Sequence, residues 1–588
     1  MRRSPLRATP ALVLAFGTLA SAARAQEDTT QRMSVRESGA EVAGISRAPA
    51  ITAEGRVIVF QSLARNCVVG DSNGVADIFR RRRRQPETTV RVSVSSSGAQ
   101  SNGVSSEPAV SAPGRHIVYT SRATNLVPND FNFVADVFLR DRTLETTTRV
   151  SIATGGGEAN DDSGWPSISA DGRFVVFHST ADNLVPGDVF ACGGAHPCAL
   201  GSDVFLRDRT LGTTTRVSTF PGGGTFGFPG LGRKPSISAD GTAVAFESEA
   251  QLLPADTNAQ ADVYVVNLAT GAFALASNTP SPNTLARHAL SGDGTRVVWR
   301  DGTGQIWMRD LLAGGPQRVS QNASGAPANT ACTDPTISDD GAWVAFATSA
   351  SNLLPVTGSR LRVYFADLAT GALEQASLDS FDAPANGDCR APALSGTGRW
   401  MAFASESSNL IDQDSNDAED VFLRDQATPI AFRFCEGDGS GGPCPCGNYG
   451  LRGRGCENSF ATGGTRLFAD GTPSVGLDTL SLSVIDFGPE TFAILVQGDA
   501  QAAGGIGTPF GDGLQCLGGN MLVVGARQAT LGICSFGHDA GDPPISISGA
   551  LPALGGTYYY QALYRHSQPF CTPAEFNTTN GLRIPWTP

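Results

Sequence analysis

One pattern recurs seven times between about residues 33 and 425, at intervals of roughly 47 to 69 residues. Its clearest copies open with Pro108-Ala109-Val110-Ser111, Pro166-Ser167-Ile168-Ser169 and Pro235-Ser236-Ile237-Ser238. A turn follows, Asp171-Gly172 in the third copy, which is a strong hairpin signal between β-rich runs. The next run ends in an aromatic: Tyr119, Phe177 or Phe246. Then come Asp136-Val137-Phe138, Asp203-Val204-Phe205 or Asp262-Val263-Tyr264. An Arg-Val-Ser segment closes several copies, as at Thr147 to Ser151 and Thr214 to Ser218. Four short strands per copy predict a blade, and seven copies predict a seven-bladed β-propeller. In the third copy the strands are expected at Pro166 to Ser169, Arg173 to Phe177, Val204 to Arg207 and Thr214 to Ser218.

The repeat prolines are Pro49, Pro108, Pro166, Pro235, Pro335 and Pro392. The fifth copy lacks one but keeps Leu290-Ser291-Gly292-Asp293-Gly294. The seventh copy has no closing Arg-Val-Ser strand, and an orphan segment of that type, Thr29 to Val35, lies at the other end. The ring is therefore expected to close by the N-terminal strand completing the last blade, which leaves only short, protected edges. The expected organisation is all-β: a signal peptide over 1–25, the propeller over 26–428, a Cys/Gly-rich linker over 429–460 and a small β-sandwich over 461–588.

The Pro-x-Ile-Ser core with its Asp-Val-aromatic strand resembles the TolB-like propellers, related in architecture to WD-repeat propellers. The resemblance covers about two thirds of the chain. It implies a periplasmic or secreted protein. The six-bladed ring common among such proteins departs from the seven copies counted here.

The first residues fit that location. Arg2, Arg3 and Arg7 precede the apolar stretch Ala11 to Ala20, and Ala23-Arg24-Ala25 offers a cleavage site after Ala25. No later apolar run approaches the roughly 20 residues of a membrane helix. The formal charge of −13 argues against general nucleic-acid binding. Lys234 is the one lysine, so cationic chemistry falls almost wholly to arginine. The Arg80 to Arg84 run reads as a solvated strand end and turn. Twelve cysteines behind an export signal permit disulfides. Cys192 and Cys198 are placed to pair locally, while Cys332 and Cys389 occupy equivalent positions in neighbouring copies.

Four copies carry D-x-N-x-x-x-D between the second and third strands. These are Asp71, Asn73 and Asp77; Asp130, Asn132 and Asp136; Asp256, Asn258 and Asp262; and Asp414, Asn416 and Asp420. Oxygen ligands at positions 1, 3 and 7 resemble the first half of a calcium loop, so structural Ca²⁺ is one expectation. The other is that Asp and Asn cap the turn by side-chain-to-backbone hydrogen bonds.

After Asp425 the composition changes. Cys435, Cys444, Cys446 and Cys456 lie among glycines at a spacing unlike a paired zinc motif, which favours disulfides. Strands are expected at Leu480 to Ile485, Phe492 to Val496, Met521 to Val524, Ile545 to Ile547 and Tyr558 to Tyr564. Cys444 to Asn448, Phe510 to Cys516 and Phe576 to Gly581 look like a C-terminal module of large secreted bacterial proteins.

Catalytic motifs are weak. Gly437 to Pro443 has no partner histidine, and no G-x-S-x-G elbow or H-E-x-x-H helix is present. Gly222 to Gly227 matches G-x-G-x-x-G without a following helix. The expected function is a non-enzymatic, monomeric scaffold that presents a propeller face to a protein or polysaccharide. The rival is a carbohydrate-active or other hydrolytic propeller with paired carboxylates in its channel.

Overall fold

The computed structural model describes residues 30–36, 38–83, 89–187, 202–219, 233–258, 260–277, 288–354, 358–380, 383–411, 414–426, 432–439, 442–451, 454–470, 473–476, 478–488, 491–530, 532–537, 542–565 and 570–587. The expected signal peptide, the Cys192/Cys198 pair and the Gly222 to Gly227 loop lie outside the described residues. The chain divides into two compact units that meet at residues 427 and 428.

The first unit holds seven four-stranded antiparallel sheets. Blade 3 shows the plan: Ser163–Ile168 innermost, then Phe174–Ser179, Asp203–Asp208 and Thr213–Arg216. The innermost strands, Ser46–Ile51, Ser105–Val110, Ser163–Ile168, Arg233–Ile237, His288–Leu290, Cys332–Ile337 and Cys389–Leu394, neighbour one another in order, and the last returns to the first. The propeller is therefore a closed ring. Blade 7 is completed by Thr30–Arg32, with Thr30 opposite Arg424 and Arg32 opposite Phe422.

The repeat motif is a packing code. The aromatic ending the second strand lies directly across from the aromatic of Asp-Val-aromatic: Phe60 with Phe79, Tyr119 with Phe138, Phe177 with Phe205. Their ring centres stand 5.8 to 6.1 Å apart, within the range where aromatic pairs add about 0.5–1.5 kcal/mol beyond burial. All three pairs are fully buried between blades.

One expectation changes in part: Arg80, Arg81 and Arg83 are buried, while Arg82 is exposed and Arg84 lies outside the described residues. Arg81 donates to the Thr89 hydroxyl (3.0 Å), while Arg83 donates to Gly55 O (3.1 Å) and stacks 3.7 Å from the Trp400 ring centre. The planar guanidinium lies against an aromatic face where an ammonium would be too strongly hydrated to bury. Cys332 and Cys389 form no disulfide with each other; both are buried thiols.

The second unit is a β-sandwich. A three-stranded sheet (Arg466–Asp470, Ser481–Ile485, Ile533–Gly537) shares one core with a larger sheet built on Phe492–Gln501 and Gly556–Arg565. The segment expected as a linker is tied into this unit by Cys435–Cys516, Cys444–Cys456 and Cys446–Cys571. Ile545–Ser548, expected as a strand, forms one helical turn. Pro544 precedes it, and Asp478 accepts the Ser546 N–H at 2.7 Å, satisfying an amide that a turn start leaves open.

Candidate functional site

The acidic loops come together as the spacing suggests, but around a cation the chain supplies itself. In blade 1, Arg91 Nη2 lies 2.9 Å from Asp71 and its Nε lies 3.5 Å from Asp77. In blade 2, Arg149 lies 3.2 Å from Asp130 and 3.5 Å from Asp136, and also pairs with Glu158. In blade 7, Arg32 pairs with Glu41 (2.5 Å), Asp414 (3.2 Å) and Asp420 (3.2 Å). A guanidinium thus stands among the carboxylates in these three blades, and in blade 7 Glu41, Asp414 and Asp420 also bring three carboxylate oxygens within 4.8 Å of one another. The asparagine bridges loop to blade: Asn73, Asn132 and Asn416 each donate to the second Asp and to a backbone carbonyl. Blade 4 has Leu275 in place of the arginine. There Asp256 accepts the Tyr264 hydroxyl, Asp262 accepts that of Ser277 at 2.7 Å, and Asn258 accepts the Gln260 N–H at 2.9 Å. Burial pushes Asp71, Asp136, Asp414 and Asp420 above the ordinary carboxylate range, and Asp130 up to about 6.

The serine of Arg-Val-Ser completes each clasp. Ser93, Ser151, Ser218, Ser277, Ser320, Ser377 and Ser34 all accept a backbone N–H at the start of the third strand. Five of them donate to the Asp that opens that strand: Asp77, Asp136, Asp203, Asp262 and Asp420. These loops and serines hold each blade's outer strand to its neighbour.

A second constellation lies in the channel. Six of the seven inner strands slip register at the residue before the repeat proline, between Arg47 and Ala50 in blade 1 and between Gly164 and Ser167 in blade 3, for example. The residues at these bulges are Ala48, Glu107, Trp165, Lys234, Asp334 and Ala391, all with φ between +49° and +55°. Left-handed backbone at a non-glycine residue costs on the order of 1–3 kcal/mol and persists where the surroundings enforce it. Bulges re-aim side chains, and proline, with no N–H to pair, is tolerated at them.

Here the bulges aim side chains into the channel mouth. Ala48, Pro49, Glu107, Pro108, Trp165, Pro166, Lys234, Pro235 and His288 line a cavity of about 160 Å³ spanning blades 1 to 5. The Lys234 ammonium sits 4.8 Å from the Trp165 ring centre. Glu107 Oε2 accepts the Trp165 N–H (2.8 Å) and the Thr120 hydroxyl (2.7 Å). Burial, with nearby Lys234 adding to it, lowers His288 to about 4, so its imidazole is neutral at pH 7. A side cavity of about 250 Å³ between blades 2 and 3 shares Glu107 and Trp165 and includes His178. His116, in the second strand of blade 2, packs beside Asp141 at 3.3 Å.

At the C-terminal ends of the inner strands the blades are linked directly. Turns after the inner strands join blade to blade: Ala112 N–H to Ala170 O (3.1 Å), Ala170 to Ala239 (2.8 Å), Gly292 to Asp339 (2.8 Å) and Gly396 to Ala53 (2.8 Å). A Cβ at Gly396 would lie 2.9 Å from Asp339 Oδ2, so the belt tolerates little bulk there. Burial raises Asp339, with Asp340 adding to it.

Sequence reasoning used the repeat proline as a landmark and passed over the residue before it. The signal was present: that position runs Ala, Glu, Trp, Lys, Asp, Ala while the proline after it is constant.

No protein-family model matches the chain, and no curated relative does. Solved structures with a similar fold include an oligogalacturonate lyase from Vibrio parahaemolyticus (13% identity, TM-score 0.40, covering 65% of this chain and 91% of that one). TolB from Acinetobacter baumannii matches at 14% identity and TM-score 0.31, covering 60% and 77%. A prolyl endopeptidase matches at 10% identity and TM-score 0.41, covering 76% of this chain and 55% of that one. These likenesses concern the propeller fold alone. The expectation of a non-enzymatic scaffold is corrected: the similar structures include a lyase and a peptidase as well as TolB, and nothing specific to function supports that reading.

Proposed function

We propose that the propeller takes a small polar ligand into its channel mouth, the first requirement of a sensor and an enzyme alike. The observation that carries this reading is the ring of strained bulges. Six blades distort at one register position, and that position is where the side chains diversify. The mouth offers an aromatic face (Trp165), a cation (Lys234) and an acceptor (Glu107) on three consecutive blades. Its volume, about 160 Å³, is below the roughly 300 Å³ where drug-sized sites begin, which suits one ring or one chain end. The test is titration of intrinsic tryptophan fluorescence with monosaccharides, hydroxy acids and amino acids. A saturable change that Trp165→Phe abolishes supports the reading; no response from any solute refutes it.

In the same account the acidic loops are arginine clasps that hold the blades without calcium. The protein works in an oxidising compartment, reached through cleavage after Ala25, and the three disulfides among the described residues are compatible with that. The sandwich unit is read as a module of secreted proteins.

A further inference from the structure

The channel mouth carries the only lysine in a chain with 43 lysines and arginines. Elsewhere the chain's cations are arginines, including those in the clasps of blades 1, 2 and 7. Arginine and lysine are not equivalent: the ammonium is a compact point charge with three rotatable donors, whereas guanidinium is a broad planar fork. A cavity of about 160 Å³ has room for the first beside a ligand. The ammonium is also placed deliberately. Its backbone holds φ +49°, and its head lies over the Trp165 ring, within the same cavity. The residues around it divide the mouth by chemistry. Glu107, two blades away, offers oxygen that accepts from hydroxyl or N–H groups and repels anions. Ala48, on blade 1, adds only a methyl group to the lining.

We propose that the site selects a ring compound bearing both hydroxyls and a carboxylate, a sugar acid, with the carboxylate held by Lys234, the ring face against Trp165 and a hydroxyl donated to Glu107. The proposal rests on the channel mouth being the ligand site. It adds the sign of the ligand's charge and the residue that reads it. No bond is made or broken; recognition is ionic and hydrogen-bonded, with stacking on the indole face.

The experiment is isothermal titration of the full mature chain with matched pairs of solutes that differ by one carboxylate: D-glucose and D-glucuronate, D-galactose and D-galacturonate, glycerol and glycerate. The expected result is at least tenfold tighter binding of the acid in a sugar pair, with the gap lost in Lys234→Gln and lessened by raised salt. Acetylating the lone lysine of the folded wild-type protein should remove the gap as well, which keeps the test independent of whether the variant folds. Equal affinity for neutral and acidic partners overturns the charge selection while leaving the channel site standing. A gap that survives both Lys234→Gln and acetylation overturns the role of Lys234. Silence from every pair, together with no tryptophan response to any other solute, overturns both this proposal and the site on which it rests.

Discussion

Ser34 donates its hydroxyl to Asp420 across 386 positions of sequence, and accepts the Val421 N–H at 2.9 Å. In blades 1 to 4 the same pair comes from one repeat, as with Ser151 and Asp136. Ring closure therefore uses the blade clasp itself. Ser34→Ala should cost about 1–3 kcal/mol, because it orphans a buried amide and removes a donor from a buried carboxylate. Urea unfolding of the propeller checks this, and Ser97→Ala, at an exposed position after blade 1's outer strand, is a control expected to change less.

The arginine clasps predict a large loss when the cation goes. Arg149→Leu leaves Asp130 and Asp136 buried without their partner, an arrangement that costs about 3–5 kcal/mol. Millimolar calcium or chelator should leave the wild-type unfolding midpoint unchanged. A midpoint that climbs with calcium concentration would restore the metal reading of these loops.

The buried acids give stability a pH slope. Asp130 is pushed up to about 6 in the folded state, above its ordinary 3.8. The fold thus holds that proton more tightly than the unfolded chain does. The stability it contributes is full below about pH 4 and is lost as pH rises through about 6. Asp208 acts in the opposite sense: its hydrogen bonds from Arg173 lower it, so its contribution is lost as pH falls below the ordinary carboxylate range. Asp130→Asn should flatten the change between about pH 4 and 6, read by urea midpoints across that window.

Reductant should separate the two units. All three described disulfides lie in the sandwich, whereas the propeller's described cysteines, Cys67, Cys332 and Cys389, are buried thiols. Reduction should lower the sandwich transition in calorimetry and leave the propeller transition in place. Cys67, Cys332, Cys389 and Cys534 should react with a thiol reagent only after unfolding, since burial raises all four thiols.

The blades were legible because each strand's motif recurs: the aromatic pairs, the Asp-Gly turns and the orphan Thr30–Arg32 strand stand where periodicity puts them. The arginine beside each acidic loop was not legible, because Arg91 and Asp71 are 20 positions apart and meet only once the outer strand folds back. Arg83 was misread since nothing local announces Trp400, which lies in the last blade. Ile545–Ser548 read as a strand from its isoleucines, and Pro544 with the distant Asp478 decided otherwise. The channel residues were hidden by their own variety: a repeat search looks for sameness, and the site lies where sameness stops.

The most direct measurement uses the lone lysine. A brief pulse of an amine-reactive reagent on the folded protein, followed by peptide mass spectrometry, reports access to the channel mouth at Lys234, with the chain's terminal amine as internal reference. The account predicts labelling of Lys234 in the native state and protection by any solute that changes tryptophan fluorescence. Labelling only after denaturation, or labelling that such a solute leaves untouched, would contradict it.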